Sequence, residues 1–257
     1  DNRPGAGGTI GAELTAKATA DGYTVIMVSA SYAVNVSLYK LSFDPLKDLA
    51  PVTLVATVPF MLLAHPSLPA NNVKELIALA KAKPNSLNYA SSGNGGSPHL
   101  AGELLKLMTG IQMVHVPYKG GGPAVADVLA GQVQLIFNTI VQSLPLVKAG
   151  KLKALAIGSP RRTQAAPDIP TIAESGVAGY DVTNWFGILA PGATPKPVLE
   201  RLQAEVVKQL GSAELRERLA TEGADAVGST PEEFARVIRT DIEKYAKIVK
   251  AANVRIN

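Results

Sequence analysis

The sequence predicts an α/β fold in which strands and helices alternate and the sheet is largely parallel. Short apolar runs recur along the chain, and several are continuous, as expected of strands covered on both faces. Amphipathic segments with recognisable helix starts lie between them. A content of 47% hydrophobic and 18% charged residues in 257 residues is typical of a globular chain with one or two domains.

Eight apolar runs are predicted to be strands. They are Thr24–Val28, Val52–Ala56, Phe60–Ala64, Leu87–Ala90, Met113–Val116, Val133–Phe137, Ala154–Ile157 and Trp185–Leu189. In parallel sheets, ligands bind beyond the carboxyl ends of the strands. The loops that follow these runs are therefore the first places to look for a site.

Helix starts are marked by capping residues. Asn72 and Glu75 form a capping-box pattern, and Thr194 precedes a proline at a first helical position. Thr230 opens a long amphipathic segment in the same way. Since the chain from Thr194 onward is nearly all helical, these helices are predicted to cover a sheet formed earlier in the sequence.

Composition excludes several classes of function. The net charge of +4 is spread along the chain, and aromatic residues make up 5%, so a nucleic-acid surface is not expected. No apolar run approaches the roughly 18 residues needed to cross a bilayer. Cysteine is absent, which excludes disulfides and cysteine metal sites, and no histidine lies in a metal-binding pattern. We expect neither a metal nor a cofactor.

The most informative motif is a glycine-serine loop, residues Ser91–Ser97, placed between a predicted strand and a predicted helix. The first N–H groups of a helix lack internal partners, and the helix dipole adds partial positive charge there. Glycines let an anion approach those groups closely. The loop is therefore a candidate anion site built without a charged side chain, and the alternative is an ordinary strand-to-helix turn.

Residue patterns for catalysis are missing. The glycine-rich stretch at residues 4–8 lacks the preceding strand and the later acidic residue of a dinucleotide fingerprint. Gly-x-Ser-x-Gly is absent, so a hydrolase nucleophile has no support. His65 is interpreted as a turn residue and His115 as a core residue. His99, in the first turn after the loop, is expected either to donate to a ligand or to cap the loop.

Trp185 and Phe186 are adjacent on a predicted strand and so point to opposite faces. Core packing accounts for both, but Gly187 leaves room beside them. Exposure of one of the two to a ligand is therefore the alternative.

Taken in order, the motifs resemble those of the Bug-type solute receptors of tripartite tricarboxylate transporters, a bacterial family of periplasmic binding proteins. The resemblance runs from end to end. Its marks are Asn2–Gly8, Asp21–Thr24, Ser37–Tyr39, Phe43–Pro45, Leu87–Gly93, His99–Glu103, Val114–Gly120, Ala130–Val133, Lys148–Leu152, Trp185–Gly187 and Ala190-Pro191.

The resemblance implies a type II periplasmic binding protein fold, with two α/β domains and a ligand cleft between them. It puts the first domain at residues 1–60 and 186–257 and the second at residues 61–185. The implied function is that of a periplasmic monomeric receptor. It would bind a small mono-, di- or tricarboxylate without a cofactor and deliver it to the membrane components of a tripartite transporter.

The resemblance also implies which residues contact the ligand. The glycine-serine loop corresponds to the family's second-domain carboxylate loop, and Ser29–Tyr32 corresponds to a first-domain loop. Anion recognition is expected from Ser91, Ser92, Gly93, Gly95, Ser97 and His99. The cleft is expected to be shaped by Ser29, Ser31, Asn138, Thr139, Trp185 and Phe186.

Two departures from the family pattern matter. Family members carry about one further strand–loop–helix unit, which holds a second carboxylate loop, before the motif that begins at Asn2. We expect that unit and the signal peptide to lie outside this sequence. Asn138 stands where relatives often have Asp. Because an amide donates as well as accepts, a second carboxylate or hydroxyl is favoured there over a ligand amine.

An α/β enzyme acting on a small anion is the alternative from a different class. It would need a positioned base or nucleophile beside the glycine-serine loop, and no sequence pattern supplies one. We therefore predict a non-catalytic receptor.

Overall fold

The computed structural model describes residues 1, 3, 6–221 and 223–255. Part of the first glycine-rich motif, Asn2, Pro4 and Gly5, lies outside the described residues. The chain divides into two compact units. Unit 1 comprises Asp1–Thr57, Asn184–Ala220 and Ala224–Lys247, and unit 2 comprises Val58–Thr183, Thr221–Gly223 and Ile248–Asn257. The domain limits expected from the resemblance, after residues 60 and 185, stay a prediction.

Strands and helices alternate through the first two thirds of the chain. The strands are β1 (Ile26–Ser29), β2 (Leu49–Ala64), β3 (Asn88–Ser91), β4 (Val114–Pro117), β5 (Leu135–Thr139), β6 (Lys153–Ile157), β7 (Thr183–Pro191) and β8 (Asp225–Ala226). The helices are α1 (Thr9–Ala16), α2 (Ser31–Leu38), α3 (Val73–Ala82), α4 (Ser97–Thr109), α5 (Gly121–Leu129), α6 (Ile140–Lys148), α7 (Lys196–Leu210), α8 (Ala213–Thr221) and α9 (Pro231–Ala251). A short 3-10 turn, Ala6–Gly8, precedes α1.

The starts of α3 and α9 follow the predicted chemistry. The Glu75 N–H donates to Asn72 Oδ1 at 2.9 Å, and Glu75 Oε2 accepts from the Asn71 N–H at 2.7 Å. At the start of α9, Thr230 and Glu233 bond each other reciprocally, each N–H donating to the other's side chain. Helix α7 differs, because it begins at Lys196 and Thr194 Oγ1 is buried without a partner among the described residues. Within the described residues, no helix combines the length and apolar content needed to cross a bilayer.

The predicted strands Val52–Ala56 and Phe60–Ala64 are one continuous strand, β2, of 16 residues. Proline cannot donate to a ladder, and the position of Pro59 explains why the strand nevertheless continues. β2 pairs with β8 at residues 56–57 and with β5 and β6 from residue 60 or 61 to residue 64, so Pro59 lies between these ladders.

The expectation of a largely parallel sheet is correct only for part of unit 2. There β3 pairs in parallel with both β4 and β5. β1 pairs with β7, and β2 pairs with β5, β6 and β8, all antiparallel. Strand–helix alternation in the sequence predicts that successive strands are connected through helices. It does not predict whether two strands far apart in the sequence pair in parallel or antiparallel.

Helices α7 and α9 lie mainly in unit 1, where α9 packs against β7. Phe234 of α9 meets Trp185 edge-on, with ring centroids 5.2 Å apart. A Cβ built on Gly187 would collide with the Phe234 ring, so only glycine admits the helix this close to the strand. The room that Gly187 leaves is therefore filled by α9, as the helical C-terminal third predicted.

The core of unit 2 lies between its sheet and the helices α5 and α6. Met61, Leu63, Ile136 and Val128 are at most 1% exposed and belong to one apolar cluster. On helix α4, Gly102 lies against the ring of Tyr89 on β3, and a Cβ at residue 102 would overlap that ring. This contact fixes how closely α4 approaches the strand that leads into the glycine-serine loop.

We expect Gly102→Ala to lower the free energy of unfolding by about 1–3 kcal/mol, because the added methyl overpacks the α4–β3 contact. Gly122→Ala is the matched control. Gly122 is also helical and has open space around its Cβ position, so it should change stability little or raise it by up to about 1 kcal/mol. Urea denaturation followed by circular dichroism measures both. Equal stability of the two variants would contradict the contact.

Candidate functional site

Three loops of unit 2 gather at one edge of its sheet. Because β3 is parallel to β4 and to β5, the carboxyl ends of all three strands point the same way. The glycine-serine loop follows β3, residues 118–120 follow β4, and Asn138 and Thr139 end β5. Helices α4, α5 and α6 each begin directly after these segments. The positive ends of three helix dipoles therefore lie at this edge.

The loops after β3 and β4 are joined by backbone hydrogen bonds. The Tyr118 N–H donates to Ser91 O at 3.0 Å, and the Gly120 N–H donates to Ser92 O at 3.2 Å. Gly93 and Gly95 have φ values of 143° and 74°, which side-chain-bearing residues rarely adopt. The glycines are thus required by the path of the loop itself.

Some predicted anion-binding groups are used within the loop. Ser91 is fully buried, its hydroxyl lies 2.6 Å from His115 Nε2, and it accepts the Gly93 N–H at 3.2 Å. The Gly95 N–H donates to His99 Nδ1 at 3.0 Å. Of the two roles considered for His99, the structure shows capping of the loop.

Other groups remain candidates for contact with a ligand. Ser92 is exposed, whereas Ser97, the first residue of α4, is 9% exposed. Among the described residues, the N–H groups of Asn94, Gly96 and Ser97 have no hydrogen-bond partner. These N–H groups point to the helix start as the place where an anion would find donors.

Asn138 is 7% exposed, and its Nδ2 is a buried donor without a partner among the described residues. An unsatisfied buried donor is costly unless a ligand or water accepts its hydrogen. Thr139 is half-buried and precedes α6, and its carbonyl accepts from Ser143 Oγ at 2.7 Å. Among the predicted residues that the structure describes, Asn138 is thus the one whose side chain holds a buried donor without a partner.

The predicted residues of unit 1 form a second group. The hydroxyls of Ser29 and Ser31 lie 2.8 Å apart, at the end of β1 and the start of α2. Phe186 is the register partner of Ser29 across β1 and β7 and is partly exposed. A cavity of about 750 Å³ within this unit is lined in part by both serines, by Gly7 and by Asn35.

Trp185 is 3% exposed, and its Nε1 donates to Asp241 Oδ2 at 2.7 Å. Of the two adjacent aromatics, Trp185 therefore lies in the core, and only Phe186 is left for contact with a ligand. Asn35 was missed by sequence reasoning, although its Nδ2 donates to Gly7 O at 2.8 Å beside the cavity. It lies in an apolar helix pattern that gave no sign of this role.

A polar network beneath the glycine-serine loop, buried at Tyr89, His99 and Glu103 and half-buried at His115 and Lys106, was also missed. The rings of His99 and His115 stack, with centroids 3.7 Å apart and planes 6° from parallel. Glu103 Oε1 accepts from Tyr89 Oη at 2.6 Å and from Lys106 Nζ at 2.8 Å, and it lies 3.9 Å from His99 Nε2. Each residue alone fits a core helix or strand, so the sequence held no signal of the cluster.

Burial controls the charges in this network. Burial lowers the pKa of His115 to about 3, with further contributions from His99 and Lys106. Burial likewise lowers the pKa of His99, while Glu103 opposes the shift. Burial, reinforced by Glu103, raises the pKa of Tyr89. At neutral pH both imidazoles are therefore neutral and Tyr89 keeps its proton.

No group of three or more histidine or acidic side chains suited to a metal ion is found among the described residues.

The chain is similar in sequence and in structure to known solute receptors. Residues 1–254 match the family described as the tripartite tricarboxylate transporter family receptor. An R. palustris protein, Rpa4515 with adipate, is 36% identical with a TM-score of 0.84, covering 99% of this chain and 86% of its own. MatC from Rhodopseudomonas palustris with bound malate is 32% identical with a TM-score of 0.78, covering 95% and 85%.

The periplasmic binding protein BugD is 34% identical to this chain, with a TM-score of 0.80, and the match covers 99% of this chain and 86% of BugD. These similarities confirm the predicted fold, that of periplasmic binding proteins with two α/β domains.

We expect Glu103→Ala to lower the free energy of unfolding by about 2–4 kcal/mol, because it removes the acceptor that Tyr89 and Lys106 share and leaves the buried Tyr89 hydroxyl only the His99 carbonyl at 3.3 Å. Glu103→Gln keeps an acceptor oxygen and should cost less. Glu200→Ala, which breaks an exposed pair with Lys196 on α7, should change little. Chemical denaturation ranks the three variants, and a Glu103→Ala protein as stable as Glu200→Ala would contradict the network.

Proposed function

The chain belongs to the family of tripartite tricarboxylate transporter receptors, and from this membership we propose that it is a non-catalytic receptor for small carboxylates. It would deliver its ligand to the membrane components of such a transporter. Its place of action would be the periplasm, where BugD and other relatives of this kind are found. The expected monomeric state stays a prediction, which analytical ultracentrifugation can check.

The observation that carries the proposal is the start of α4. Unpaired N–H groups of residues 94, 96 and 97 lie at the positive end of a 13-residue helix, beside the first turns of α5 and α6. Backbone N–H groups at a helix start bind carboxylates and need no cationic side chain. We therefore place the ligand carboxylate at the glycine-serine loop, with Ser92 and Ser97 as the nearest free hydroxyls.

Similarity to ligand-bound relatives supports a dicarboxylate. The two relatives described with adipate and with malate are 36% and 32% identical to this chain. Both molecules carry two carboxylates. The unpartnered Nδ2 of Asn138 fits the same class, since it would donate to an oxygen of the ligand, whereas an ammonium group offers no acceptor.

The candidate contacts of unit 1 remain proposals of their own. Ser29 and Ser31 contribute hydroxyls beside the cavity, and Phe186 contributes a partly exposed apolar face. Such a combination suits the carbon chain and the polar substituents of a small organic acid.

Catalysis has little structural support. Ser91 is bonded to a histidine, as an activated nucleophile would be, but it is fully buried and its hydroxyl also bonds the backbone at Gly93. A nucleophile must reach its substrate. The Ser91–His115 pair therefore fits a structural role, and this favours a receptor over the alternative of an α/β enzyme.

Calorimetric titration with acetate, malate, adipate and citrate tests the proposal. We expect a 1:1 complex with at least one di- or tricarboxylate, and weaker binding of the matching amino acid, such as aspartate in place of malate. Absence of binding for every carboxylate in such a series would overturn the proposed function. Hydrolysis of carboxylate esters or amides by the purified protein would instead favour the enzyme.

Ser92→Asp should weaken carboxylate binding at least ~10-fold. The new carboxylate would compete for the same N–H groups and repel the ligand, and loss of one charge-assisted hydrogen bond already costs about 1.5–3 kcal/mol. Folding should not suffer, because a negative charge is favourable near a helix start.

Ser86→Asp is the matched control. Ser86 is also an exposed serine, but it precedes β3 at the opposite end of that strand. Affinity should therefore be unchanged. A folded Ser92→Asp protein that binds as well as Ser86→Asp would show that the carboxylate is held elsewhere.

A further inference from the structure

The stacked histidines hold two points of the glycine-serine loop from below. His99 belongs to α4 and His115 to β4, and their rings lie 3.7 Å apart and nearly parallel. His115 Nε2 lies 2.6 Å from Ser91 Oγ, at the start of the loop. His99 Nδ1 accepts the Gly95 N–H, in the middle of the loop. The two stacked rings therefore hold the glycine-serine loop at both Ser91 and Gly95.

The geometry fixes the protonation state of His99. A backbone N–H can only donate, so Nδ1 of His99 must carry no proton while it bonds to Gly95. The single proton of the neutral ring is then on Nε2, which faces Glu103 Oε1 at 3.9 Å. A second proton would have to enter at Nδ1, and that would remove the acceptor of the Gly95 N–H.

The groups around the pair define how it responds to acid. Glu103 favours a charged His99, but its carboxylate is shared with Lys106 at 2.8 Å and with Tyr89 at 2.6 Å. Tyr89 also meets the His115 ring, with centroids 5.0 Å apart.

The other phenol near this network, Tyr180, donates to Ala101 O at 2.8 Å. It brings no charge at neutral pH. Two cations cannot occupy rings stacked this closely, because like charges at that distance repel strongly. The Gly95 hydrogen bond therefore exists only while Nδ1 of His99 carries no proton.

We propose that His99 and His115 are positioning residues of the carboxylate loop, and that acid which protonates Nδ1 of His99 releases the Gly95 N–H and weakens carboxylate binding. This inference rests on the proposed function. In this inference the two histidines do not contact the ligand, and they influence binding only through their hydrogen bonds to Ser91 and Gly95. Free imidazole titrates near 6.5, and burial lowers the pKa of His99, so the loss is expected below that pH, as His99 takes up a proton.

Two variants at residue 99 and one elsewhere separate the possibilities. His99→Leu removes the acceptor, and we expect it to weaken adipate or malate binding about fivefold at pH 7.5. His99→Asn can place an amide oxygen near the position of Nδ1 and does not titrate. It should bind within about twofold of the unmodified protein and lose the acid-dependent weakening. His65→Asn alters the third histidine of the chain, which is bonded to Ser67, and it should leave the pH profile unchanged.

The pH dependence is read as the ratio of affinities of the unmodified protein and His99→Asn between pH 7.5 and 5, so that ionisation of the probe cancels. Nitrogen-15 NMR of the histidines adds a readout that needs no ligand. His99 should show an unprotonated Nδ1 and a protonated Nε2 at pH 7.5. Melting curves report whether each variant is folded.

The outcomes separate this inference from the proposed function. If the unmodified protein binds no carboxylate at pH 7.5, the proposed function fails and the inference fails with it. If it binds, but His99→Leu binds equally well or the affinity ratio stays constant with pH, only the positioning role is overturned. If His99→Leu does not fold, the affinity ratio with His99→Asn and the tautomer of His99 decide. Protonated Nδ1 at pH 7.5 would overturn the inference.

Discussion

Parallel pairing of β3 with β4 and β5 is the constraint on which the candidate site depends. It turns three carboxyl ends to one edge and places the starts of α4, α5 and α6 there. The partial charges of helix starts fall off within a turn, so they reinforce one another only where several starts converge. An antiparallel β3 would send its loop to the opposite edge. The same glycines would then have no neighbouring helix starts.

The buried network beneath the loop shows how a backbone site is kept in shape without rigid side chains of its own. Glycine can adopt the positive φ values that this loop requires. The same conformational freedom makes a glycine-rich loop entropically costly to order. Here the order comes from outside the loop, through Ser91 with His115 and through Gly95 with His99. Glu103, Tyr89 and Lys106 satisfy one another below. Removing one member leaves a buried partner unsatisfied, so such a network is retained or lost as a whole.

Local patterns predicted most elements, because apolar periodicity and capping chemistry are local. The capping box at Asn72 and the helix start at Thr230 formed as expected. The direction of strand pairing and the continuity of β2 through Pro59 were not predictable in this way, since both depend on partners far along the chain. The same limit applied to the site. The loop itself was visible, but the stacking of His99 on His115 depends on how α4 packs over β3 and β4. Likewise, the burial of Trp185 depends on Phe234 and Asp241, which both lie on the distant helix α9.

Backbone groups and side chains have different roles in deciding which ligands the site can distinguish. N–H groups at a helix start bind the carboxylate of a ligand and do not contact the rest of the molecule. The same loop can therefore serve receptors that bind different carboxylates. Discrimination must come from side chains placed at a distance from that carboxylate. Asn138 is suited to this because its donor is buried and unpartnered. A ligand that leaves such a donor unpaired loses affinity, whereas a ligand that supplies an oxygen gains it. An aspartate at the same position would impose the opposite preference, since it can only accept when ionised. A single amide in place of a carboxylate is therefore enough to favour oxygen-bearing substituents over amines without any change in the carboxylate loop.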